Sequence, residues 1–178
     1  AQASPENPAR AGVYGHGLLD SRVAVTYDGV PDMAREHNYL FCAVDFYGFA
    51  TGDLVNVAAA LLDLSNFPTI PDASQQGTVN FAFLARLLRD PAGFASNAAF
   101  QMDGKPVFDR SAVFYDGNSQ GGILGGVVMA ISKDIERGAL GSLGMNYSTL
   151  LTRSTDFDEY ALPLYASYPD PLDRQLAF

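Results

Sequence analysis

One stretch in the second half of the chain decides the fold: Ser111-Ala-Val-Phe-Tyr-Asp-Gly-Asn-Ser-Gln-Gly-Gly-Ile-Leu-Gly-Gly-Val-Val-Met-Ala-Ile131. It begins with a short apolar run, Ala112 to Tyr115, of the kind that forms a buried strand. It ends with apolar residues that recur at helical spacing from Ile123 to Ile131. Between these two parts the chain turns through Gly117-Asn-Ser-Gln-Gly121. The stretch therefore predicts a strand, a sharp turn with a serine at its tip, and a helix.

This order of elements is typical of the nucleophile elbow of G-x-S-x-G enzymes. The serine of an elbow has a strained backbone, so the residues two before and two after it must be small, and Gly117 and Gly121 meet that need. Ser119 is then the candidate nucleophile, at the carboxyl end of the sheet and beside a helix N-terminus that favours negative charge. The alternative is a glycine-rich turn that binds a phosphate or dinucleotide. It is disfavoured because the stretch has neither G-x-G-x-x-G nor a P-loop lysine.

A second chemical signal lies near the start of the chain. The short β-prone run Gly12 to Tyr14 leads directly into Gly15-His-Gly-Leu-Leu19. Glycines in such a loop allow the backbone to turn so that amide groups point into a cavity. An ordinary turn with a buried histidine is the alternative, and the presence of an elbow downstream favours the functional interpretation.

The rest of the chain alternates between strand-like and helix-like segments. The predicted elements are a short helix at 31–38, a strand buried on both faces at 39–44, helices at 53–64 and 74–89, and a strand at 137–143, followed by short mixed segments from residue 146. This alternation predicts an α/β fold, with a mostly parallel sheet and helices on both faces, in a single domain over residues 1–178. The loops that begin at His16, Asp45 and Ser119 all follow strands, so we expect them to meet at one edge of the sheet.

Composition narrows the classes of function. The chain has 178 residues and a formal charge of −9, which disfavours binding to nucleic acid or to an anionic membrane. No apolar run approaches the length of a transmembrane helix. The single cysteine, Cys42, excludes an intrachain disulfide and a cysteine-based zinc site. No His, Asp and Glu cluster has metal-ligand spacing, so we predict no metal and no cofactor. An intact signal peptide is absent, and the polar, proline-containing start is compatible with a secreted or periplasmic protein.

Together these residues resemble the α/β-hydrolase superfamily, in its lipase and esterase branch. Gly15-His-Gly-Leu-Leu19 looks like the oxyanion loop of that family, Asp45-Phe-Tyr-Gly48 like the loop after the next strand, and Gly117-Asn-Ser-Gln-Gly121 like its elbow. The resemblance implies Ser119 as the nucleophile and the backbone amides of Leu18 and Gln120 as the oxyanion donors. It gives His16, Gly17, Gly117 and Gly121 the role of shaping the site.

The sequence departs from the family where the triad should be completed. The family order is serine, acid, histidine, yet both histidines of this chain, His16 and His37, precede Ser119. Asp156 and Asp158 are the candidate acids. The first and last strands of the family have no counterpart here. We expect, in order of preference, one portion of a cleaved or split enzyme, a shortened form of the enzyme, or a hydrolase-like protein that has lost catalysis. In the first case a second polypeptide supplies the missing histidine and acid.

The leading functional hypothesis is a serine hydrolase that cleaves carboxylic esters of small molecules or lipids through an acyl-enzyme. A peptidase of the same fold and a noncatalytic binding protein with a hydrolase fold are the alternatives. The apolar residues near the predicted site are expected either in a substrate pocket or in the core; they are Leu18, Leu19, Phe46, Tyr47 and Phe49.

Overall fold

A parallel sheet forms the centre of the protein, whose computed structural model describes residues 3–27, 29–144 and 146–177. The strands are β1 (Ala9–Gly15), β2 (Tyr39–Cys42), β3 (Gln101–Met102), β4 (Lys105–Pro106), β5 (Phe108–Asn118) and β6 (Ile135–Gly141). Four of them form one sheet in the order β2-β1-β5-β6, and every neighbouring pair is parallel. The short strands β3 and β4 form a separate antiparallel hairpin, whose turn at Asp103 and Gly104 has positive φ at both residues.

The helices follow the strands as the alternating pattern predicts. Within the described ranges the α-helices are α1 (Val30–Glu36), α2 (Leu54–Leu62), α3 (Thr69–Arg89), α4 (Gln120–Ile131), α5 (Tyr147–Leu151), α6 (Asp158–Ser167) and α7 (Pro171–Ala177). None of these helices combines the length and the hydrophobicity of a transmembrane span.

Helices lie on both faces of the sheet because the chain adds successive strands in both directions along the sheet. The step from β1 to β2 runs one way along the sheet, and the steps from β2 to β5 and then to β6 run the other way. Right-handed crossovers therefore place α1 on one face and α3 and α4 on the opposite face. The predicted α/β fold, with a mostly parallel sheet and helices on both faces, is confirmed.

The core lies between the sheet and the helix pair α3 and α4. Alternate residues of β1 and β5 point to this face, because successive side chains of a strand point in opposite directions. The largest buried contributors are Val13, Val113, Tyr115, Phe81, Leu88 and Val128. The Tyr115 hydroxyl donates a hydrogen bond to the Gly121 carbonyl oxygen at 2.6 Å, so its polar end is paired inside the core. Burial raises the pKa of Tyr115 and keeps this donor protonated.

Strand β2 and helix α3 differ from the sequence-based expectation. The strand at residues 39–44 was expected to be buried on both faces, but β2 ends at Cys42 and its residues are only partly buried. The reason is that β2 lies at the edge of the four-stranded sheet. Helix α3 begins at Thr69 rather than at residue 74, because Pro71 falls in the first helical turn, where an amide hydrogen has no intrahelical partner to lose.

The segment from residue 146, expected as short mixed pieces, is helical. Asn146 starts α5 by accepting a hydrogen bond from the Thr149 amide to its side chain at 3.0 Å. We call α5, α6 and the residues between them (147–167) the helical cap. It packs on α2, with Phe157, Ala161 and Leu164 as its buried side chains. The Leu64 amide, just beyond α2, donates to the Tyr168 hydroxyl at 2.9 Å and fixes the far end of the cap.

The elbow helix offers a direct test of packing, because two of its glycines have opposite surroundings. A Cβ atom at Gly121 would lie 2.0 Å from the Gly15 carbonyl oxygen, whereas a Cβ atom at Gly126 would meet nothing closer than 3.9 Å. Gly121→Ala should lower the free energy of unfolding by about 1–3 kcal/mol or more, since backbone must move. Gly126→Ala should leave it unchanged or raise it by up to about 1 kcal/mol. Urea unfolding measures both, and equal losses would contradict this packing.

Candidate active site

Ser119 has an unusual backbone conformation between β5 and α4. Its φ of 56° and ψ of −123° lie in a region that residues with a side chain rarely adopt. Such a residue costs about 1–3 kcal/mol and persists only where its surroundings determine it. Here the Ser119 amide donates to the Gly141 carbonyl oxygen at 3.0 Å, and its own carbonyl accepts from the Gly122 and Ile123 amides. A strained residue that its surroundings hold in this way is typical of functional sites.

The glycines around Ser119 are in close backbone contact. A Cβ atom at Gly117 would lie 2.5 Å from the Gly121 carbonyl oxygen, and one at Gly15 would lie 2.0 Å from the Tyr115 hydroxyl. Because Gly121 also touches the Gly15 carbonyl, the elbow packs directly on the end of β1. Gly17 differs from these three, since a Cβ atom there would meet nothing within 4 Å.

His16 lies at the end of β1 and is fully buried. The Phe46 amide donates to its Nε2 at 2.8 Å, and its Nδ1 lies 2.8 Å from the Gly17 carbonyl oxygen. Because a backbone amide can only donate, Nε2 carries no proton and Nδ1 donates. Both ring nitrogens are thus occupied by backbone groups, which leaves none for the Ser119 hydroxyl.

His37 lies at the amino ends of the parallel strands, opposite the end of the sheet at which Ser119 lies. It follows α1 and lies two residues before β2, and the carbonyl of the intervening Asn38 accepts from the Arg10 amide at 2.8 Å. Ser119 follows the carboxyl end of β5. Strand β5 is parallel to β1, and β1 is parallel to β2, so Ser119 and His37 lie at opposite ends of the strands. Because a strand rises by about 3.3 Å per residue, the length of the strands separates the two residues by about 20 Å. The structure therefore brings neither histidine to the serine hydroxyl.

Three loops meet at the carboxyl edge of the sheet, as expected. Besides the Phe46 contact to His16, the Leu19 amide donates to the Phe49 carbonyl at 3.1 Å, and the Thr51 amide donates to the Asp20 carbonyl at 2.8 Å. Leu19 has a φ of 52°, so the positive φ of this loop falls on a leucine rather than on either glycine. These bonds fix the loop after β1 against the loop after β2.

The two amides predicted to bind an oxyanion are without an acceptor in the described part of the chain. Neither the Leu18 nor the Gln120 backbone N–H donates to another group there. Gln120 is the first residue of α4, whose opening amides have no intrahelical partner and carry the positive end of the helix dipole. Both residues line the same cavity as Ser119. The arrangement can therefore offer donors to an anionic oxygen that forms near the serine.

A cavity of about 620 Å³ opens above Ser119. Its walls come from the loops after β1 and β2, from α2, α3 and α4, and from the helical cap. Most of the lining side chains are aliphatic or aromatic, among them Leu19, Val57, Ile70, Ile123 and Phe157. Of the apolar residues singled out in the sequence, Leu18, Leu19 and Phe49 line this cavity, whereas Phe46 is stacked on Phe81 in the core and Tyr47 is 51% exposed outside it.

Tyr147 links the helical cap to the elbow, and no motif in the sequence identifies it as a site residue. Its hydroxyl donates to Oε1 of the buried Gln120 side chain, and its ring stacks on Phe49 with centroids 5.7 Å apart. Burial raises the pKa of Tyr147, so the phenol keeps its proton. The other end of the carboxamide, Gln120 Nε2, is buried without a hydrogen-bond partner among the described residues. The Asn146 N-cap is the one local signal that could have located this helix start.

The two candidate acids lie on the helical cap, which follows β6. Asp156 is exposed and lines the cavity, whereas Asp158 begins α6 and is exposed outside the lining. Neither has a histidine near it that would link it to Ser119, so their role stays a prediction. Across residues 3–27, 29–144 and 146–177, no three His, Cys, Asp or Glu side chains come together as they would around a metal ion.

Comparison with known proteins concerns the fold. No protein-family model and no curated protein matches the sequence. Among solved structures, the chain is similar to acetyl xylan esterase 1 from Thermoanaerobacterium sp. JW/SL YS485, with a TM-score of 0.56 and 14% sequence identity. The match covers 96% of this chain and 52% of that protein, so the chain spans about half the length of the structure it resembles. At this identity the likeness shows a shared fold alone.

The two histidines provide a matched test of the site. His16→Phe keeps an aromatic ring but leaves the buried Phe46 amide without its acceptor, which should lower the free energy of unfolding by about 1–3 kcal/mol. His37→Phe, at an exposed position, should change it by no more than about 0.5 kcal/mol. Chemical denaturation compares the two variants. A His16→Phe protein as stable as His37→Phe would show that the ring nitrogens do not hold the loop.

Proposed function

We propose that this chain carries the nucleophile and the oxyanion site of a serine hydrolase that cleaves carboxylic esters, on an α/β-hydrolase-like fold. The observation that carries the proposal is the backbone of Ser119, held at a φ of 56° and a ψ of −123° between a parallel strand and a helix N-terminus. A strained serine is costly, and this position presents its hydroxyl at the carboxyl edge of the sheet, beside two amides without an acceptor.

In the proposed reaction the Ser119 Oγ attacks the ester carbonyl carbon, and its proton passes to a histidine base. The carbonyl oxygen becomes an oxyanion, which the Leu18 and Gln120 amides and the N-terminus of α4 stabilise. Collapse of this intermediate breaks the bond to the alcohol, which leaves with the proton, and Ser119 keeps the acyl group. A water molecule then adds to the acyl-enzyme and releases the acid.

The base of this reaction comes from outside residues 1–178 in our proposal. The ring nitrogens of His16 are both bound to backbone groups, and His37 lies at the other edge of the sheet. No histidine follows Ser119 in the sequence. A second polypeptide that brings a histidine and an acid to the elbow would complete the site, with Asp156 as the acid that this chain itself could offer.

Two observations favour an ester substrate. The similar solved structure is that of an acetyl xylan esterase, a protein named for cleaving esters. The cavity beside Ser119 is largely apolar, which suits the acyl or alkyl part of an ester better than a peptide with its row of polar amides. The second candidate is a noncatalytic binding protein with this fold. It is favoured by the fact that no described side chain forms a hydrogen bond with the Ser119 hydroxyl.

Covalent labelling tests the nucleophile directly. A fluorophosphonate should phosphonylate the chain at a single residue, Ser119, and the reaction should be slow because no base activates the hydroxyl. Ser119→Ala should remove the label completely. Ser142→Ala, which changes another serine that lines the cavity, should leave it unchanged. Intact mass and peptide mapping give the site, and a label elsewhere, or none after prolonged reaction, would contradict the proposal.

Supplying an external base tests the missing part of the triad. The mass-verified chain alone should hydrolyse p-nitrophenyl esters at most about 10³–10⁴ times faster than water does. This is the residual rate enhancement that an oxyanion site provides without a triad. Added imidazole should raise the rate in the wild-type chain above that of Ser119→Ala measured at the same imidazole concentration. Robust turnover without imidazole would place a working base within residues 1–178 and would refute this account of the triad.

A further inference from the structure

We infer that the cavity above Ser119 binds a straight aliphatic chain, and that the substrate is an uncharged ester carrying such a chain of about six to ten carbons. The inference rests on the proposed function for its chemical consequence, but the binding itself can be measured without any reaction. It goes beyond an ester of acetic acid, whose acyl group has two carbons.

The size of the cavity is the first argument. Its volume is about 620 Å³. A dry cavity of about 150 Å³ in another protein is large enough for a benzene molecule of six carbons. An acetyl group bound at Ser119 would therefore leave most of this cavity filled with water against apolar walls. A longer chain would displace that water, and each added methylene would contribute to binding.

The chemistry of the walls is the second argument. The deeper walls are formed by Leu19, Val57 and Ile70, which belong to one buried apolar cluster, and the cap adds Phe157, from a second cluster. Aliphatic side chains of α4 complete the enclosure on the side of the elbow. Such a surface offers contact and no directional bonds, so it suits a flexible hydrocarbon chain.

Several polar side chains of the lining use their hydrogen-bonding groups within the protein. The Ser74 hydroxyl donates to the Ile70 carbonyl at 2.8 Å, and the Thr78 hydroxyl donates to the Ser74 carbonyl at 2.9 Å. The carboxamide oxygen of Gln120 accepts from the Tyr147 hydroxyl, and its Nε2 is the end of that group without a partner among the described residues. A sugar that entered here would place most of its hydroxyls against apolar walls without partners, at a cost of about 1–3 kcal/mol for each buried group on the scale of protein mutations. Carbohydrate is therefore a poor occupant.

The side-chain charge of the lining disfavours an anionic ligand. Among the described residues of the lining there is no lysine or arginine, and the one charged side chain there is that of Asp156, an exposed carboxylate. Along the apolar walls a fatty-acid carboxylate would find no side-chain cation to pair with, and the Asp156 carboxylate would repel it. A neutral ester, with Leu18, Ser119 and Gln120 in the same lining as the apolar walls, fits both the charge and the position of the reacting group.

Methyl ketones test the binding, because they carry a carbonyl and an alkyl chain but no leaving group. Displacement of the neutral fluorophore N-phenyl-1-naphthylamine by 2-butanone, 2-hexanone, 2-octanone and 2-decanone should give affinities that rise about fourfold with each methylene. Binding that is equally weak for 2-butanone and 2-octanone would overturn the inference. Circular dichroism confirms that the protein used in these titrations, and each variant described below, is folded.

Paired variants show whether the chain binds in this cavity rather than elsewhere on the surface. Val127 lines the cavity and is 50% exposed, whereas Val79 is 40% exposed on α3 and lies outside the lining. Val127→Trp should weaken the binding of 2-octanone at least tenfold, and Val79→Trp should leave it within twofold. Gln75→Trp, at a second exposed lining position, should act like Val127→Trp and serves if the latter does not fold. Unchanged affinity in the folded lining variants would overturn the inference.

The reaction is tested separately with methyl octanoate and octyl acetate, which place the same eight-carbon chain on either side of the ester. In the presence of imidazole, an octanoyl or an acetyl mass on Ser119 supports the inference and tells which side of the ester occupies the cavity. Chain-length-dependent binding without any label on Ser119 would retain the inferred site and refute the proposed function. A phosphonate label on Ser119 without chain-length-dependent binding would retain the proposed function and overturn the inferred binding site.

Discussion

The close contact between three backbone segments is the constraint on which the rest of the site depends. Gly117, at the end of β5, touches Gly121 at the start of α4, and Gly121 touches the carbonyl of Gly15 at the end of β1. Side chains at these positions would separate the segments. Their absence allows the chain to reverse within a few residues, and the reversal forces Ser119 into its positive φ. The position of the serine is thus a consequence of strand and helix packing.

The same contact explains why the two proposed oxyanion donors and the serine line one cavity. The elbow rests on the end of β1, so the loop that follows β1 must begin beside Ser119. His16 then anchors that loop through the Phe46 amide and the Gly17 carbonyl. In our account both nitrogens of its imidazole bind backbone groups and hold the loop in place. The ring therefore cannot act as the base, which must come from elsewhere.

The sequence predicts the sheet and the elbow well because both leave local signals. The apolar run before Ser119, the helical spacing after it and the glycines between are visible within 21 residues, Ser111 to Ile131. The helical cap is not predictable in this way, since Pro163 lies inside α6 and the helices are short. Its place over Ser119 depends on contacts between distant residues, such as the one between Tyr147 and Gln120, and no local pattern encodes these. The half-buried state of β2 also depends on its place at the sheet edge.

A crystal structure of the phosphonylated protein would test the central claim most directly. The account predicts a phosphonate on Ser119 Oγ, with one phosphoryl oxygen about 2.7–3.1 Å from the backbone nitrogens of both Leu18 and Gln120, the distance expected of an oxyanion site. A phosphonate on another residue would contradict the account, and so would a phosphoryl oxygen directed away from these two amides.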